Sequence, residues 1–561
     1  MRTISLALLL GGALACGTAV STPPAELVIH NAVIYTASDA QARAEAIAIR
    51  GGRFVVVGSN ADALELVGSG TRVVDAGGKT VLPGLQDAHG HFTGLGASLQ
   101  VLKLRGTKTY DEIVEMVRAR AATARPGEWI QGRSWDQNDW PDAAWPTHDK
   151  LTAAAPNNPV YLTRVDGHAA LVNHAAMTVA GLSRDTKDPA GGRIMRDAKG
   201  HPTGVLIDLA QGLVSQKIPE VSAAQLEDQI RLADAEARRL GVTMVHDAGV
   251  DPKVVDAYKR LVDNGELKTR LYVMLSGSLN TLQVEFDKGP LKDYAKRHLM
   301  VQAIKIQADG ALGSRGAALL EPYADEPKNI GLLTTPPEEV HAKALAASKA
   351  GFQTCIHAIG DRANRQVLDL YEQVYSEAPV ARNLRLRIEH AQILDAADIP
   401  RFAELNVIAS MQTTHATSDM PWVPARLGPA RTAEGAYVWQ KLIKSGAILA
   451  NGSDFPVEEP NPMLGFYAGV TRQDPAGNPA GGWMPDQRLS RTEVLKAFTW
   501  NAAFAAHADT ELGSIEPGKY GDLVMLDRDV MSIDAKSILD ARVLLTVIGG
   551  EVVFEPRLQT N

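Results

Sequence analysis

Apolar positions recur along the chain in two textures. From Glu26 to Leu82, short runs alternate apolar with polar residues and break at glycines, as in AELVIHNAVIYT, AIAIRGGRFVVVG and TRVVDAGGKTVLPG, which is the period-two pattern of half-buried strands. The far end of the chain returns to it in GDLVMLDRD and ARVLLTVIGGEVVF, where Gly549-Gly550 marks a hairpin. The two ends, residues 21–82 and 510–561, are expected to join in one composite β-sandwich domain. Between them, across residues 83–509, continuous apolar strands recur with helical stretches after most of them. They are TVLPGLQDAHGH, GVTMVHDAG, RLYVMLS, VQAIKIQADG, FQTCIHAIGD, LRIEHAQ, NVIASMQ and AILANGSD. This rhythm predicts an α/β fold, a closed (β/α)8 or TIM barrel. The first two strands are separated by about 150 residues, against the ~10–15 of a helical crossover, so a large insertion is expected at about 92–237.

The strand ends carry the candidate chemistry. Side chains two apart on a strand point the same way, so His89 and His91 can reach one ion. His357 ends the fifth strand, His390 the sixth and Asp454 the eighth, while Lys305 lies between Ile304 and Ile306 in the fourth. A lysine inside an apolar strand is costly unless neutralised or modified, although one near a strand end can also snorkel to water. Each of these residues alone is as readily a hydrogen-bonded core group. Together, at the end of a barrel where active sites form, they predict a divalent metal site. Imidazole donors favour zinc over calcium or magnesium.

Longer segments then become recognisable: PGLQDAHGH, GEWIQGRSWDQNDW, RVDGHAALVN, IKIQADGALGSRGAALLEPY, HAIGD, RIEHAQ, MQTTHATSD and NGSDFPVE. In these, and in their order, the chain resembles the amidohydrolase superfamily, in its N-substituted formamide deformylase-like branch. The resemblance covers nearly the whole mature chain. It implies one or two ions, with His89, His91 and Asp454 on one, His357 and His390 on a second, and Lys305 bridging as a carbamate; a single ion beside an unmodified Lys305 is the alternative. Asp454 and His390 are the expected catalytic residues, with Asp454 carrying the proton from water to the leaving nitrogen. His168, His246 and His415, with Trp135 and Asp136 of the insertion, are expected to line the substrate pocket; His246 can equally fix a loop. Arg315 can hold a substrate carboxylate or carbonyl, or form a structural ion pair.

Charge and the N-terminus narrow the setting. A net charge of −8, with no run of five Lys/Arg, argues against a nucleic-acid surface and for a small-molecule substrate. Arg2, the apolar Leu6 to Leu10 and Ala13-Leu14-Ala15 read as an export signal over residues 1–20. Cys16 resembles a lipidated cysteine, although Ala13 stands where that pattern usually has Leu. A periplasmic or membrane-anchored lipoprotein, or a secreted chain, is therefore expected. Cys355 is the only other cysteine. The expected reaction is hydrolysis of a C–N bond in an amide, N-formyl compound, carbamate or cyclic amide. Fold and ligands alone also admit a deaminase, an esterase or lactonase, and a catalytically inactive exported binding protein.

Overall fold

The computed structural model describes residues 23–556; the stretch expected to be an export signal, and Cys16, fall outside the described residues. At its centre, eight strands follow one another in chain order. They are β1 (Leu85–Gly90), β2 (Val242–Val250), β3 (Arg270–Leu275), β4 (Leu299–Gln307), β5 (Gln353–Ala358), β6 (Arg387–His390), β7 (Ile408–Met411) and β8 (Leu449–Asn451). Each runs parallel to its neighbours, so the barrel expected from the apolar rhythm is present strand for strand. Strands β1, β3 and β5 are buried at every position. Parallel strands covered by helices outside and by packed side chains inside have no wet face, and so read as unbroken apolar runs.

The barrel closes just beyond β8. The Asp454 N–H donates to the His89 carbonyl at 2.7 Å and the His91 N–H to the Phe455 carbonyl at 2.8 Å. The buried Asp87 carboxylate accepts the backbone N–H of Ser453 at 3.1 Å and its hydroxyl at 2.6 Å. It also accepts the N–H of His89. Gly452 permits this approach, since a Cβ there would lie 2.5 Å from the His89 nitrogen and 2.6 Å from Asp87 Oδ1.

The outer helices follow local signals. Helix Pro252–Asp263, for example, starts with the Asp251 side chain accepting the Lys253 N–H and a proline in its first turn, and it buries Val255, Ala257, Tyr258 and Leu261. Helices Phe92–Ser98 and Ala223–Arg239 pack on each other. A Cβ at Gly96 would sit 1.9 Å from the Gln229 carbonyl oxygen, so only glycine fits that crossing. The two ends of the stretch 92–237 therefore belong to the barrel wall, and the insertion proper is narrower. It is a six-stranded sheet from Leu102–Lys103 to Pro202–Asp208, with its own core of Leu104, Ile130, Trp135, Leu162 and Leu171. The amphipathic period of 223–239 was the sequence sign of that boundary.

The two ends of the chain share one six-stranded sheet, in which Leu523–Leu526 pairs antiparallel with Thr80–Pro83. A four-stranded sheet of Leu27–His30, Ala46–Arg50, Arg53–Gly58 and Arg72–Asp75 faces it. One apolar cluster, including Ile29, Ile47, Val81, Leu523 and Val547, joins both sheets. The strand Thr80–Pro83 leads straight into β1, so the sandwich anchors the strand that carries His89. Gly452→Ala forces this seam apart, and about 1–3 kcal/mol of destabilisation is expected, read as a lower melting temperature with loss of bound metal.

Candidate metal centre

One atom each of His89, His390 and Asp454 lie within 4.8 Å of one another, all buried. Around them, His91 Nε2 is 2.9 Å from Asp454 Oδ1, Lys305 Nζ is 3.3 Å from His89 Nε2, and the His357 ring centroid is 4.6 Å from that of His390. The structure thus brings together all six residues expected to bind metal, from β1, β4, β5, β6 and the turn after β8.

The histidine tautomers are set from behind. Glu389 takes the Nδ1 proton of His89, the Ala248 carbonyl that of His91 at 2.8 Å, and Gln412 Oε1 that of His390 at 2.8 Å. The backbone at Gly310 holds His357, whose buried Nε2 lies 3.5 Å from Asp309 Oδ1. A neutral imidazole that gives up its Nδ1 proton, as those of His89, His91 and His390 do, presents a bare lone pair at Nε2, which is the form a metal ligand needs. His91 Nε2 and Asp454 Oδ1 are then two acceptors at 2.9 Å, and they require a cation between them, either a proton or a metal ion. The donor set and these orphaned atoms fit a divalent ion.

His415 has the opposite arrangement. The Gln392 amide donates to its Nδ1 at 3.0 Å, leaving the ring proton on Nε2, which has no partner and lies 3.7 Å from Asp454 Oδ2. It is a donor facing the centre rather than a ligand.

Electrostatics keep the ligands in the right protonation state. Burial, and then the neighbouring Lys305, depress His89 to about 4, and burial holds His357 and His390 well below the ordinary imidazole value. Burial also lowers Lys305. It would raise Asp454, but the contact with His91 and the imidazoles of His89 and His390 outweigh it and hold the carboxyl well below its usual range. Beneath the site, Arg387 is fully buried and meets Glu389, the Ala88 carbonyl at 2.6 Å and Ser410 at 2.8 Å. Burial would raise the Glu389 carboxyl too, but Arg387 and His89 pull it down, so it stays charged behind His89.

A cavity of about 670 Å³ opens above the centre. His168, Asp136 and His415 line it. His168 gives its Nδ1 proton to Asp208 at 2.7 Å, a bond that raises its basicity against the opposing effect of burial. Three other residues expected to line the pocket lie elsewhere. Trp135 is in the insertion core with its indole N–H on the Leu162 carbonyl, because a bulge at Ser134 turns it inward. His246 lies under the site, its Nδ1 accepting from Arg387 at 2.9 Å. Arg315 pairs with Asp325 away from the cavity. Sequence reasoning passed over Glu389, Arg387, Asp87 and Gln412. A charged residue within a fully buried strand, as in RIEH and LQDAHG, was the available signal.

Such a centre at the C-terminal end of a parallel barrel defines a metal-dependent hydrolase. The chain belongs to the amidohydrolase family, whose model matches residues 72–554. It is 37% identical to the protein LONG AFTER FAR-RED 3 of Arabidopsis thaliana, over 95% of this chain and 93% of that one. It is 28% identical to the N-substituted formamide deformylase of Arthrobacter pascens, over 94% and 98% of the two chains. Among solved structures it is similar to an uncharacterized metal-dependent hydrolase of Pyrococcus horikoshii OT3, with a TM-score of 0.72 and 28% identity over 91% of this chain and all but 1% of that one, whose coverage is 99%.

Glu389→Gln keeps the shape but removes the charge behind His89. A loss of about 10–100-fold in metal affinity is expected, measured by competition with a chelator.

Proposed function

We propose that the protein hydrolyses a C–N bond other than a peptide bond, in an amide, N-formyl, carbamate or cyclic amide group of a small molecule. The observation that carries this reading is the convergence of the nitrogens of His89, His91 and His390 on the Asp454 carboxyl. The likeness to a relative named N-substituted formamide deformylase supports the choice of a C–N bond.

His89, His91 and Asp454 would hold one ion and His357 and His390 a second, with zinc the best match to these donors. When bound, such an ion supplies a Lewis acid that acidifies water and polarises a carbonyl. Asp454 is placed to do the proton work. It is ionised and close to His89 and His91, and its backbone is held at φ +58°, so its carboxylate can take a proton from the attacking water and return it to the leaving nitrogen. His415, with a free Nε2–H beside Asp454, is placed to donate to the developing oxyanion. The cavity, roofed in part by the insertion, limits water around the reacting bond.

In this reading Lys305, 3.3 Å from His89 Nε2, would be a carbamate and so add an anionic donor to those that hold the metal. An ammonium beside divalent cations is repelled, and its burial already disfavours the charged form. The export signal in the sequence supports a mature chain working outside the cytoplasm.

Metal analysis of the purified protein, joined to a screen of N-formyl, N-acyl and carbamate compounds, tests the reading; release of none of the corresponding amines would overturn it. Asp454→Asn is expected to lower kcat by about 100- to 10,000-fold while metal remains bound, and near-wild-type turnover would remove Asp454 from its role. Lys305→Ala is expected to lose metal and activity together, and the intact wild-type protein to show the added mass of a carbamate. Full metal occupancy in the alanine variant would defeat that role.

A further inference from the structure

Three arginines of the insertion line the cavity: Arg105, Arg133 and Arg164. Two are already engaged by carboxylates. Arg164 binds Asp136 and Asp166, each at 2.5 Å, and Arg105 binds Glu458 at 3.2 Å together with the Val457 carbonyl. Arg133 differs. Its Nε donates to the Pro456 carbonyl at 3.3 Å, which ties it to the turn carrying Asp454. Among the described residues, no carboxylate lies within 4.0 Å of its guanidinium.

Most of the cavity's acidic groups are also accounted for; Asp139, which lines it too, forms no ion pair among the described residues, and burial raises its carboxyl. Asp136 and Asp166 are held by Arg164, Asp208 by His168, and Glu458 by Arg105 and Ser418. Asp419 takes the Tyr437 hydroxyl, and burial pushes its carboxyl well above the usual range. Among the described residues, Arg133 is left as the one arginine of the cavity wall without a carboxylate within 4.0 Å. Burial lowers its guanidinium to about 10, with Asp454 the first of the charges opposing that drop. A half-buried guanidinium with its fork unpartnered is unfavourable, and a planar anion that takes both N–H groups removes that cost.

We infer that the substrate is an amide or formamide bearing a carboxylate, and that the open fork of Arg133 grips this carboxylate while the scissile C–N bond lies at Asp454. The inference rests on the hydrolytic reading above and names its substrate class. Arg133 is thus a specificity-determining residue, fixed by the strand Ile130–Trp135 rather than by a mobile loop.

The test uses the metal-loaded protein and a panel of N-formyl and N-acetyl amino acids, each paired with its own carboxamide. In the wild type, kcat/KM is expected to favour the carboxylate of each pair by about 100-fold, since a buried polar group left unpaired penalises the analogue lacking its partner. Arg133→Met is expected to bring that ratio to within about 3-fold, and Arg133→Lys, a point charge without the fork, to an intermediate value. A merely structural role would lower both members of a pair and leave the ratio in place, which would overturn the inference, as would a wild type without preference. Melting temperature and metal content of each variant are read alongside, and a ratio measured on the soluble fraction does not depend on yield. If amides and formamides are cleaved but carboxylates are not preferred, the hydrolytic reading stands and the inference fails alone. If no pair is cleaved, the hydrolytic reading is decided by the wider screen of N-formyl, N-acyl and carbamate compounds, and calorimetric titration with N-formylglycine still reads the grip; equal binding to wild type and Arg133→Met, or none to the wild type, would overturn the inference.

Discussion

The site depends on one seam, the junction between the first and last strands of the barrel. There the Asp87 carboxylate gathers the backbone N–H groups of His89 and Ser453 and the Ser453 hydroxyl. Backbone hydrogen bonds from Asp454 to His89 and from His91 to Phe455 complete it. A closed barrel has no free edge, so the closing pair must find its register without a neighbour beyond it. This pair also carries chemistry at both ends, because His89 and His91 stand on one side of the junction and Asp454 on the other. Closure and assembly of the centre are therefore the same event. The tight approach at Gly452 leaves no slack through which the carboxylate could drift from the imidazoles.

Behind that seam, the protein maintains a buried charge pair at some cost. Arg387 and Glu389 are fully buried, and desolvating two ions is repaid only where every lone pair and proton finds a partner. The partners here are the Ala88 carbonyl, Ser410, His246 and His89. Glu389 thereby fixes the proton of His89 on the nitrogen facing away from the centre. His91 and His390 reach the same end by neutral means, through Ala248 and Gln412. Three histidines with different supports converge on a common tautomer, and His415, supported through a donor instead, takes the other. The nitrogen that faces the cavity, lone pair or N–H, separates a ring able to hold an ion from one able to donate a hydrogen bond.

The insertion supplies the rest. It has its own apolar core, independent of the barrel's, and presents Asp136, Arg133, Arg164 and the His168–Asp208 pair over the strand ends. A rigid sheet can hold side chains above the centre more firmly than loops can, which suits recognition of a small molecule. Backbone strain is concentrated along the same rim. Ser134, Asp208, His390 and Asp454 all adopt positive φ without being glycine, a pattern found where surrounding structure over-determines a functional position.

Much of this was legible along the chain. Continuous apolar runs marked all eight barrel strands, because strands covered on both faces admit few polar residues, and the polar residues that did end them marked the centre. Alternation and glycine turns marked the strands at the two ends of the chain, although some of them, such as Thr80–Pro83 and Leu523–Leu526, are buried at every position. Local pattern does not determine what depends on approach across hundreds of residues. That Trp135 turns inward is decided by a bulge at Ser134 that no spacing announces. His246, His415 and His168 look alike in sequence, yet one accepts from a buried arginine, one presents a proton to the cavity and one is paired with a carboxylate. Arg315 and Arg133 are both arginines in family-like segments, and only the packed structure shows that the first is paired with Asp325 and the second is free among the described residues. The sequence by itself determined the barrel and the residue types at its strand ends, since burial and strand period act through near neighbours. Only the tertiary structure decided which nitrogen carries a proton and which charge is left unpaired, since hydrogen bonds and ion pairs are settled by whichever distant groups arrive within about 3 Å.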